Sequence, residues 1–312
     1  MSRTPYPVGP GHLRRRACDD SDVMYSIAAT VSDWYARSAR DLPWRAPDVG
    51  AWPVLVSEVM LQQTPVTRVL PAWTAWLKRW PTPADLAAAP SGEAVRMWGK
   101  LGYPRRALRL HECARVIVER HGGKVPSDVE ALLQLPGIGA YTARAVAVFA
   151  YGHRHPVVDT NVRRVIARAV AGQGDAAPPS PARDHAAVEA LLPVDDAAAA
   201  CASIAFMELG ALVCTARSPR CDECPLAARC AWRLAGSPPY AGRTVRPQRF
   251  TGTDRQVRGL LLDVLRAADG PVPKSALDMV WPDTVQRERA LDGLVADGLL
   301  DPREDDLFAL PS

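Results

Sequence analysis

Four cysteines lie close together in the sequence, at positions that suit a metal site. They are Cys214, Cys221, Cys224 and Cys230, in the spacing C-x6-C-x2-C-x5-C. Four thiolates in one loop can enclose a single tetrahedral ion or an iron–sulfur cluster, and this spacing leaves zinc and iron both open. The chain has seven cysteines, an odd number, which favours a reduced intracellular protein over a secreted disulfide framework.

Two acidic residues have contexts that suit the cleavage of a glycosidic bond. Glu58 lies inside 54–61, a helical pattern that is apolar on nearly every side, so its carboxyl group is desolvated or lies at the rim of a cavity. Asp159 stands where an apolar pair gives way to a helix. One protonated and one ionised carboxyl group can together cleave a glycosidic bond. The alternatives are a narrow solvent-facing stripe for Glu58 and an ordinary helix N-cap for Asp159.

A pair of glycines marks a tight turn that opens directly into a helix. Gly137 and Gly139 lie in the segment Leu135–Ala143. Backbone N–H groups at such a turn, together with the helix dipole, can bind one phosphate without a cationic side chain. A plain turn between two packed helices explains the same glycines, so both interpretations stay open.

Charge is divided unevenly along the chain. The net charge of the 312 residues is +4, although residues 253–312 carry seven Lys or Arg against twelve Asp or Glu. A basic body with an acidic tail favours a polyanion partner for the first part alone, while a generally arginine-rich composition is the alternative explanation. Neither a signal peptide nor a membrane-spanning run is found in the sequence, so we expect a cytoplasmic protein with no membrane partner.

Helical periodicity dominates the chain up to about residue 250 and predicts an all-α core. The predicted helices cover about 24–40, 53–63, 66–79, 83–88, 91–99, 104–121, 127–134, 140–151, 160–171, 184–192 and 195–213. A basic lead is predicted over 1–23, and a linker rich in Pro, Gly and Arg over 234–252. Residues 253–312 outline three helices and a small hairpin, as in a winged helix. Acidic residues in the would-be wing disfavour DNA contact and favour a packing or protein-partner module.

Six separated motifs resemble those of one enzyme family. They are Leu42–Arg45, Ser57–Thr64, Leu101–Tyr103, Leu135–Ala143, Asp159–Val165 and the four-cysteine loop. From about residue 24 to 233 the chain thus resembles the A/G-specific adenine DNA glycosylases, the MutY family, within the helix-hairpin-helix group that includes endonuclease III. This resemblance implies a two-lobed core, with a six-helix lobe over about 44–155 and a cluster lobe formed by 24–43 and 156–233. It also implies a [4Fe–4S] cluster on the four cysteines.

The resemblance implies roles for individual residues. Glu58 is expected to be the general acid that protonates adenine and assists water. Asp159, with Asn161 beside it, is expected to stabilise the oxocarbenium-like sugar, and a transient covalent adduct between the two is left open. Tyr141 stands where endonuclease III has its lysine nucleophile, and a Schiff base needs an amine. We therefore expect base excision with little or no strand cleavage.

The same resemblance implies a set of DNA contacts. Some of these residues would probe the base stack and the opposite base, and the hairpin would grip phosphate. The stack-probing residues are Gln62, Gln63 and Tyr103, and the other expected contacts are Arg45, Leu135, Gly137 and Gly139.

Two features depart from the long members of the family. Only 82 residues follow Cys230, and they outline the acidic module where long members have a Nudix-like domain that recognises 8-oxoguanine, so the chain resembles shorter actinobacterial relatives. In addition, Pro104-Arg105-Arg106 follows Tyr103, where many relatives have a second tyrosine. We expect this change to reshape the loop that carries Tyr103.

The motifs and the resemblance together predict a monofunctional adenine DNA glycosylase of base-excision repair. Its expected substrate is double-stranded DNA in which adenine is mispaired with guanine or 8-oxoguanine. We expect a monomer associated with the bacterial nucleoid, and an unidentified protein partner for 253–312 is left open. The alternatives are a thymine or uracil mismatch glycosylase and a non-catalytic iron–sulfur protein that binds DNA.

Overall fold

The computed structural model describes residues 27–240, 242 and 250–312, and it is mainly helical. The helices are α1 (Ile27–Ser38), α2 (Ala51–Leu61), α3 (Val66–Arg79), α4 (Pro83–Ala87), α5 (Ser91–Trp98), α6 (Arg105–His121), α7 (Val129–Leu133), α8 (Ala140–Tyr151), α9 (Thr160–Ala169), α10 (Pro181–Glu189), α11 (Asp196–Leu212), α12 (Ala231–Leu234), α13 (Asp254–Ala267), α14 (Lys274–Asp278) and α15 (Thr284–Ala296). Short 3-10 helices cover Pro43–Arg45 and Cys221–Glu223. The strands are β1 (Val272–Pro273), β2 (Asp301–Arg303) and β3 (Leu307–Ala309). This content confirms the predicted all-α core.

The described residues divide into two compact units. The first unit contains 27–54, 127–130, 139–240 and 242, and the second contains 55–126, 131–138 and 250–312. Helix α8 belongs to the first unit and the C-terminal residues belong to the second, and the predicted division into two lobes and a C-terminal module stays a prediction. The predicted basic lead 1–23 lies outside the described residues. No helix in the described ranges has both the length and the apolar character needed to cross a bilayer.

The core of the first unit is built around α11. This helix is rich in alanine, and α1, α8 and α9 pack against it. Small side chains such as Ala202 and Ala205, both fully buried, let neighbouring helices approach closely. Val31 of α1 and Val165 of α9 belong to the same buried cluster as Leu209 of α11. The result is a rigid support for the start of α9, where Asp159 lies.

A buried ion pair ties the segment after α1 to α11. Glu208 has a fully buried side chain, and it accepts hydrogen bonds from Arg40 Nε at 2.8 Å and Nη2 at 2.7 Å, and from Arg45 Nη2 at 2.9 Å. Desolvation opposes ionisation of this carboxyl group, but the hydrogen bonds from Arg40 and Arg45 outweigh it and lower the pKa of Glu208 to about 2. The Arg45 guanidinium also lies 5.8 Å from the centre of the Tyr35 ring. Arg45, expected among the DNA contacts, is thus engaged in an internal ion pair.

In the second unit α4 and α5 pack against α6, and α3 packs against α5. Buried residues of α6 recur at helical spacing, from Ala107 through Leu110 and Ala114 to Ile117. Three tryptophans meet edge to face beside them, with ring centroids 4.7 Å apart for Trp76 and Trp80 and 5.7 Å apart for Trp76 and Trp98. The α4 helix begins with a capping box between Thr82 and Asp85.

Residues 250–312 fold into α13, α14, α15 and a three-stranded antiparallel sheet in the order β1-β3-β2. Phe308 on the central strand pairs with Val272 on one side and Pro302 on the other. The elements follow the predicted succession of three helices and a hairpin, and the winged-helix description of this module stays a prediction. Met279 and Val285, at the end of α14 and the start of α15, are largely exposed.

The C-terminal module docks on α5 within the second unit. Arg96 donates through Nη1 to the carbonyl oxygens of Ala268 at 2.8 Å and of Arg266. Arg266 Nε donates in return to the Val95 carbonyl at 3.1 Å. The tail adds a backbone contact, because the N–H of Gly92 donates to the carbonyl of Pro311 at 2.7 Å. The chain end therefore caps the first turn of α5, whose N-cap residue provides no side-chain hydrogen bond.

Replacing Gly92 with alanine should release the tail. A Cβ at Gly92 would lie 2.3 Å from the Pro311 carbonyl oxygen and 2.9 Å from Leu310 Cβ, so the tail must move. Gly259→Ala in α13 is the control, because nothing lies within 4 Å of its Cβ and alanine there should stabilise the helix by about 0.5–1 kcal/mol. We expect carboxypeptidase to remove the last residues faster from Gly92→Ala alone. Equal digestion rates for the two variants would contradict this docking.

Candidate active site and cysteine pocket

Glu58 lies near the end of α2 and belongs to the second unit. Its relative exposure is only 5%, and Leu55 and Met60 on the same helix have none. The helix is thus buried on nearly every side, as the apolar pattern predicts. A carboxyl group so far removed from water favours its protonated form unless charges or donors oppose this effect.

The expected stack-probing residues lie in two segments of the second unit. Gln63 follows α2, and Tyr103 precedes α6 with about half of its surface exposed, 48%. Both have left-handed backbones, with φ of 56° at Gln63 and 49° at Tyr103, which residues other than glycine adopt rarely. Thr64 connects the two segments, because its Oγ1 donates to the Leu101 carbonyl at 3.1 Å. Gln62 is half-buried at the end of the same turn.

The glycine turn lies between α7 and α8. Gly137 has a φ of 77°, and a Cβ there would lie 2.7 Å from Arg109 Cβ, so both conformation and space require glycine. Leu135 is buried at the start of the turn. Gly139 is the N-cap of α8, which has no side-chain cap and no acidic residue in its first turn. A helix start of this kind favours an anion, as the phosphate interpretation requires.

Asp159 is the N-cap of α9 in the first unit. Its Oδ1 accepts from the N–H of Val162 at 2.7 Å, and its Oδ2 accepts from Asn161 Nδ2 at 2.8 Å. Desolvation by burial raises the pKa of Asp159 above its ordinary value, although these hydrogen bonds and the charge of Arg164 act in the opposite direction. Asp159 is therefore an N-cap residue, as the alternative interpretation expected. Its carboxyl group is in addition partly desolvated and accepts hydrogen bonds from two donors.

A chain of hydrogen bonds continues from Asp159 into the interior. Asn161 Oδ1 accepts from Arg164 Nη2 at 2.8 Å. The same guanidinium donates to the carbonyl of Gly210 at 2.8 Å and, through Nε, to the carbonyl of Cys214 at 2.7 Å. A Cβ at Gly210 would lie 2.7 Å from Asn161 Cβ, so glycine permits this close contact. The end of α11 thereby fixes the orientation of Asn161 and, through it, of Asp159.

Tyr141 lies in the first turn of α8, where the resemblance puts the lysine of endonuclease III. Its hydroxyl contacts Met207 Sδ at 3.6 Å, and its ring packs on the small cluster that contains Val157. The side chain is half-buried. Its role near the reacting bond stays a prediction.

The four predicted cysteines line one pocket in the first unit. Cys214, Cys221, Cys224 and Cys230 all border it, together with Arg168, Val213, Pro219, Ala227, Trp232 and Arg233. None of the four is in a disulfide, and all are half-buried. A lining of four thiols has the donor set that an iron–sulfur cluster needs, as it does for a zinc ion.

Burial disfavours thiolates at two of these cysteines, and a cationic group bound in the pocket would stabilise them. Burial raises the pKa of Cys214, and burial together with the neighbouring cysteines raises the pKa of Cys224 to about 11. Iron ions would stabilise the thiolate forms, and a [4Fe–4S] cluster needs four of them. Arg168 lies at the wall and donates to the Thr215 carbonyl at 2.7 Å and toward Cys214 Sγ at 3.5 Å. Its guanidinium also stacks on Trp232, 4.9 Å from the ring centre.

The predicted site residues thus fall into groups that the structure describes separately. Glu58, Gln62, Gln63 and Tyr103 belong to the second unit, and Asp159, Asn161, Tyr141 and the cysteines belong to the first.

Two arginines of α9 were not predicted as functional. Arg164 and Arg168 are both only 5% exposed, and their spacing from Asn161 puts all three on one helix face. That spacing is visible in the sequence, although arginine on a helix is usually exposed.

A family described as HhH-GPD superfamily base excision DNA repair protein matches residues 56–187. A second, described as the iron-sulfur binding domain of endonuclease III, matches residues 214–230, which begin and end at two of the four cysteines.

Individual relatives match over more of the chain. The adenine DNA glycosylase of Mycobacterium tuberculosis is 61% identical over 308 residues, which are 98% of this chain and 96% of that protein. That of Mycolicibacterium smegmatis is 61% identical over 279 residues, 89% of this chain and 93% of that protein. The structure of a thermostable thymine-DNA glycosylase aligns with a TM-score of 0.60 and 28% identity, over 67% of this chain and 95% of the other.

Replacing Asp159 with asparagine should remove a pH dependence of stability. Burial raises the pKa of Asp159, so the ionised carboxylate opposes folding in the wild type, and the stability that the protonated form contributes is lost as the pH rises from below 3.8 through the folded-state pKa. Asparagine does not titrate, so the free energy of unfolding of the variant relative to the wild type should increase by on the order of 1 kcal/mol between about pH 3 and pH 7. Urea titrations across this range measure it, and a difference that stays constant or decreases with rising pH would contradict it.

The purified chain should contain about four iron and four sulfide ions per molecule and absorb broadly in the visible range. Cys224→Ser should lose most of the iron, because the variant lacks one of the four thiols that line the pocket. Cys201→Ser is the control, since Cys201 belongs to the hydrophobic core and does not line the pocket. Metal analysis and visible spectra measure both variants. Zinc in place of iron, or equal iron in the two variants, would contradict the assignment.

Proposed function

The chain belongs to the adenine DNA glycosylases of the HhH-GPD superfamily, and we propose that it removes adenine mispaired with guanine or 8-oxoguanine from double-stranded DNA. The reaction is hydrolysis of the N-glycosidic bond between adenine and deoxyribose. The observation that carries this proposal is the burial of Glu58, a carboxyl group with 5% exposure on a helix whose other residues near it are mostly apolar. Such a group is suited to give a proton to a poor leaving group.

Glu58 is the general acid in this proposal. Adenine leaves a sugar readily only after one of its ring nitrogens is protonated, so the reaction needs a carboxylic acid that can donate to the base. Once the proton is transferred, the carboxylate can accept a proton from the attacking water. Exclusion of solvent from α2 supports this role because it protects the proton from exchange with bulk water.

Asp159 is the carboxylate that stabilises the cationic sugar. Its two hydrogen-bond donors, Val162 N–H and Asn161 Nδ2, favour the ionised form and fix the direction of the oxygens. A preorganised negative charge beside a developing oxocarbenium ion lowers the barrier without reorganisation during the reaction. Asn161 is proposed as a positioning residue, and the hydrogen bond from Arg164 fixes its amide.

The proposal includes base release without a lyase step. The sequence has four lysines, Lys78, Lys100, Lys124 and Lys274, and none lies in α8. Tyr141, at the position of the lysine in endonuclease III, offers a phenol and cannot form a Schiff base. We therefore expect an intact strand with an abasic site as the product.

DNA binding is expected at the glycine turn and at the exposed stack-probing residues. The start of α8 after Gly139 would bind a phosphate, and Tyr103 and Gln63 would enter the base stack beside the mismatch.

We further propose that the chain acts as a monomer at the bacterial nucleoid. The identity of the base opposite adenine rests on the resemblance of the motifs to A/G-specific enzymes, and the matched adenine DNA glycosylases support adenine as the released base.

Release of a pyrimidine is the second candidate, because a thymine-DNA glycosylase is among the similar structures. Its 28% identity is well below the 61% of the mycobacterial adenine DNA glycosylases, and this difference favours adenine. A DNA-binding protein without catalysis would need no buried acid, so the burial of Glu58 argues against that alternative.

Replacing Glu58 with glutamine should abolish adenine release while leaving duplex affinity within a few-fold of the wild type. The amide has nearly the same shape, but it cannot donate a proton to adenine at neutral pH. We expect the rate of release to fall by at least about 100-fold, which is within the usual contribution of general acid catalysis. Single-turnover release of free adenine from an adenine–8-oxoguanine duplex measures the rate, and a binding titration measures affinity.

Glu119→Gln is the matched control, because Glu119 is exposed on α6 and pairs only with Arg115 among the ion pairs of the described residues. Its release rate should equal that of the wild type. An unchanged rate for Glu58→Gln, or an equal fall for both variants, would overturn the assignment of Glu58.

A further inference from the structure

Arg106, the second residue of α6, connects the end of α2 with the segment before α6. Its Nη1 donates to the carbonyl oxygens of Val59 at 2.8 Å, Met60 at 3.1 Å and Gln62 at 2.7 Å. Its Nη2 donates to the carbonyl of Gly102 and to Thr64 Oγ1, each at 3.0 Å. One guanidinium thus binds backbone atoms from two segments that are about 40 residues apart in sequence.

The carbonyls that Arg106 binds include those directly before the two left-handed residues. The Gln62 carbonyl belongs to the peptide group that leads into Gln63, and the Gly102 carbonyl belongs to the one that leads into Tyr103. Left-handed backbones at such residues persist only where the surroundings hold them. Arg106 fixes the peptide plane at the start of each, so it determines the direction in which both side chains leave the backbone.

The remaining contacts of Arg106 explain why arginine occupies this position. The guanidinium lies between two rings, 5.1 Å from the centre of Trp98 and 5.6 Å from that of Tyr103. Three of its acceptors are carbonyls of the last turn of α2 and the residue after it, at the negative end of the helix dipole. Burial lowers the pKa of Arg106 to about 10, which leaves the group charged at neutral pH. A lysine ammonium is a single point and cannot bind both segments while stacking on a ring.

We propose that Arg106 is a positioning residue for the reaction, which holds the stack-probing residues Gln63 and Tyr103 in register with the helix that carries Glu58. Glu58 lies one residue before Val59, whose carbonyl Arg106 binds, so the acid and the stack-probing residues share one support. This inference rests on the proposed function, since it assigns Arg106 a part in the same reaction. Arg106 itself touches neither DNA nor the reacting bond in this account.

The alternative is that Arg106 only stabilises the fold. Both roles predict a lower melting temperature after substitution, so stability alone does not separate them. They differ in the folded enzyme at a temperature well below melting. A positioning role lowers the rate of the chemical step and the unstacking of DNA in fully folded protein, whereas a purely structural role leaves both unchanged.

The experiment compares Arg106→Met and Arg106→Lys with Arg115→Met in the full chain carrying its cluster. Arg115 lies on the same helix and pairs with Glu119 at the exposed surface, so the control makes the same chemical change away from the two segments. One measurement is single-turnover release of adenine at saturating enzyme. The other is the fluorescence of 2-aminopurine placed beside the mismatch in a duplex whose target sugar carries fluorine at the 2′ position and resists cleavage.

We expect Arg106→Met to release adenine about 10- to 100-fold more slowly, because small misplacements of catalytic groups cost factors of this size. Arg106→Lys should fall between it and the wild type. The fluorescence rise on binding should be reduced in the same order, and Arg115→Met should match the wild type in both. A normal rate and a normal rise in folded Arg106→Met would overturn the proposal.

A double-mutant cycle with Tyr103→Ala tests whether Arg106 acts through Tyr103. If it does, Arg106→Met should slow adenine release less in the Tyr103→Ala background than in the wild type. Fully additive effects would overturn that connection. Failure of the proposed function is distinguishable, because the wild type would then release no adenine and the comparison of variants would have no reference rate.

Discussion

Buried and half-buried guanidinium groups that donate to the backbone hold the irregular segments of this chain in place. Arg106 binds the end of α2 and the segment before α6, and Arg164 binds the end of α11 and the Cys214 carbonyl. Arg168 donates to the Thr215 carbonyl beside the cysteine pocket, and Arg96 donates to the Ala268 carbonyl at the end of α13. A guanidinium suits this role because its five donors lie in one plane and it never loses its proton near neutral pH.

This arrangement explains how an enzyme of mostly short helices keeps its functional groups rigid. Asp159 accepts two hydrogen bonds, and its neighbour Asn161 is fixed by an arginine that is fixed in turn by α11. Some functional residues lower the stability of the fold. Burial raises the pKa of Asp159, so its ionised form opposes folding, and the left-handed backbones of Gln63 and Tyr103 are strained. Strain and desolvation thus occur at residues that the proposed reaction uses, as is common at active sites, although Ser218, Ser237, Asp305 and Asp306 also have positive φ.

Much of the fold could be predicted because helical periodicity and breakers are local signals. The predicted helix over about 104–121 corresponds to α6 at Arg105–His121, which ends at the left-handed Gly122. The predicted helix over about 184–192 is α10 at Pro181–Glu189, and the shift arises because Pro181 occupies the first turn and starts the helix earlier. Glu58 and Asp159 could be chosen as candidates, and their burial and N-cap position predicted, because a carboxylate in an apolar helix and one at a helix start are both visible in the sequence. The partners of Arg45 and Arg106 could not, since they lie far away along the chain and only the folded structure brings them together.

The most direct test of this account is the identity of the released base. Three duplexes that differ only at one pair, adenine–8-oxoguanine, adenine–guanine and thymine–guanine, would be incubated with excess enzyme and the free bases identified by mass spectrometry. The account predicts free adenine from the first two, no thymine from the third, and an uncut strand with an abasic site. Release of thymine, or of no base from any duplex, would contradict it.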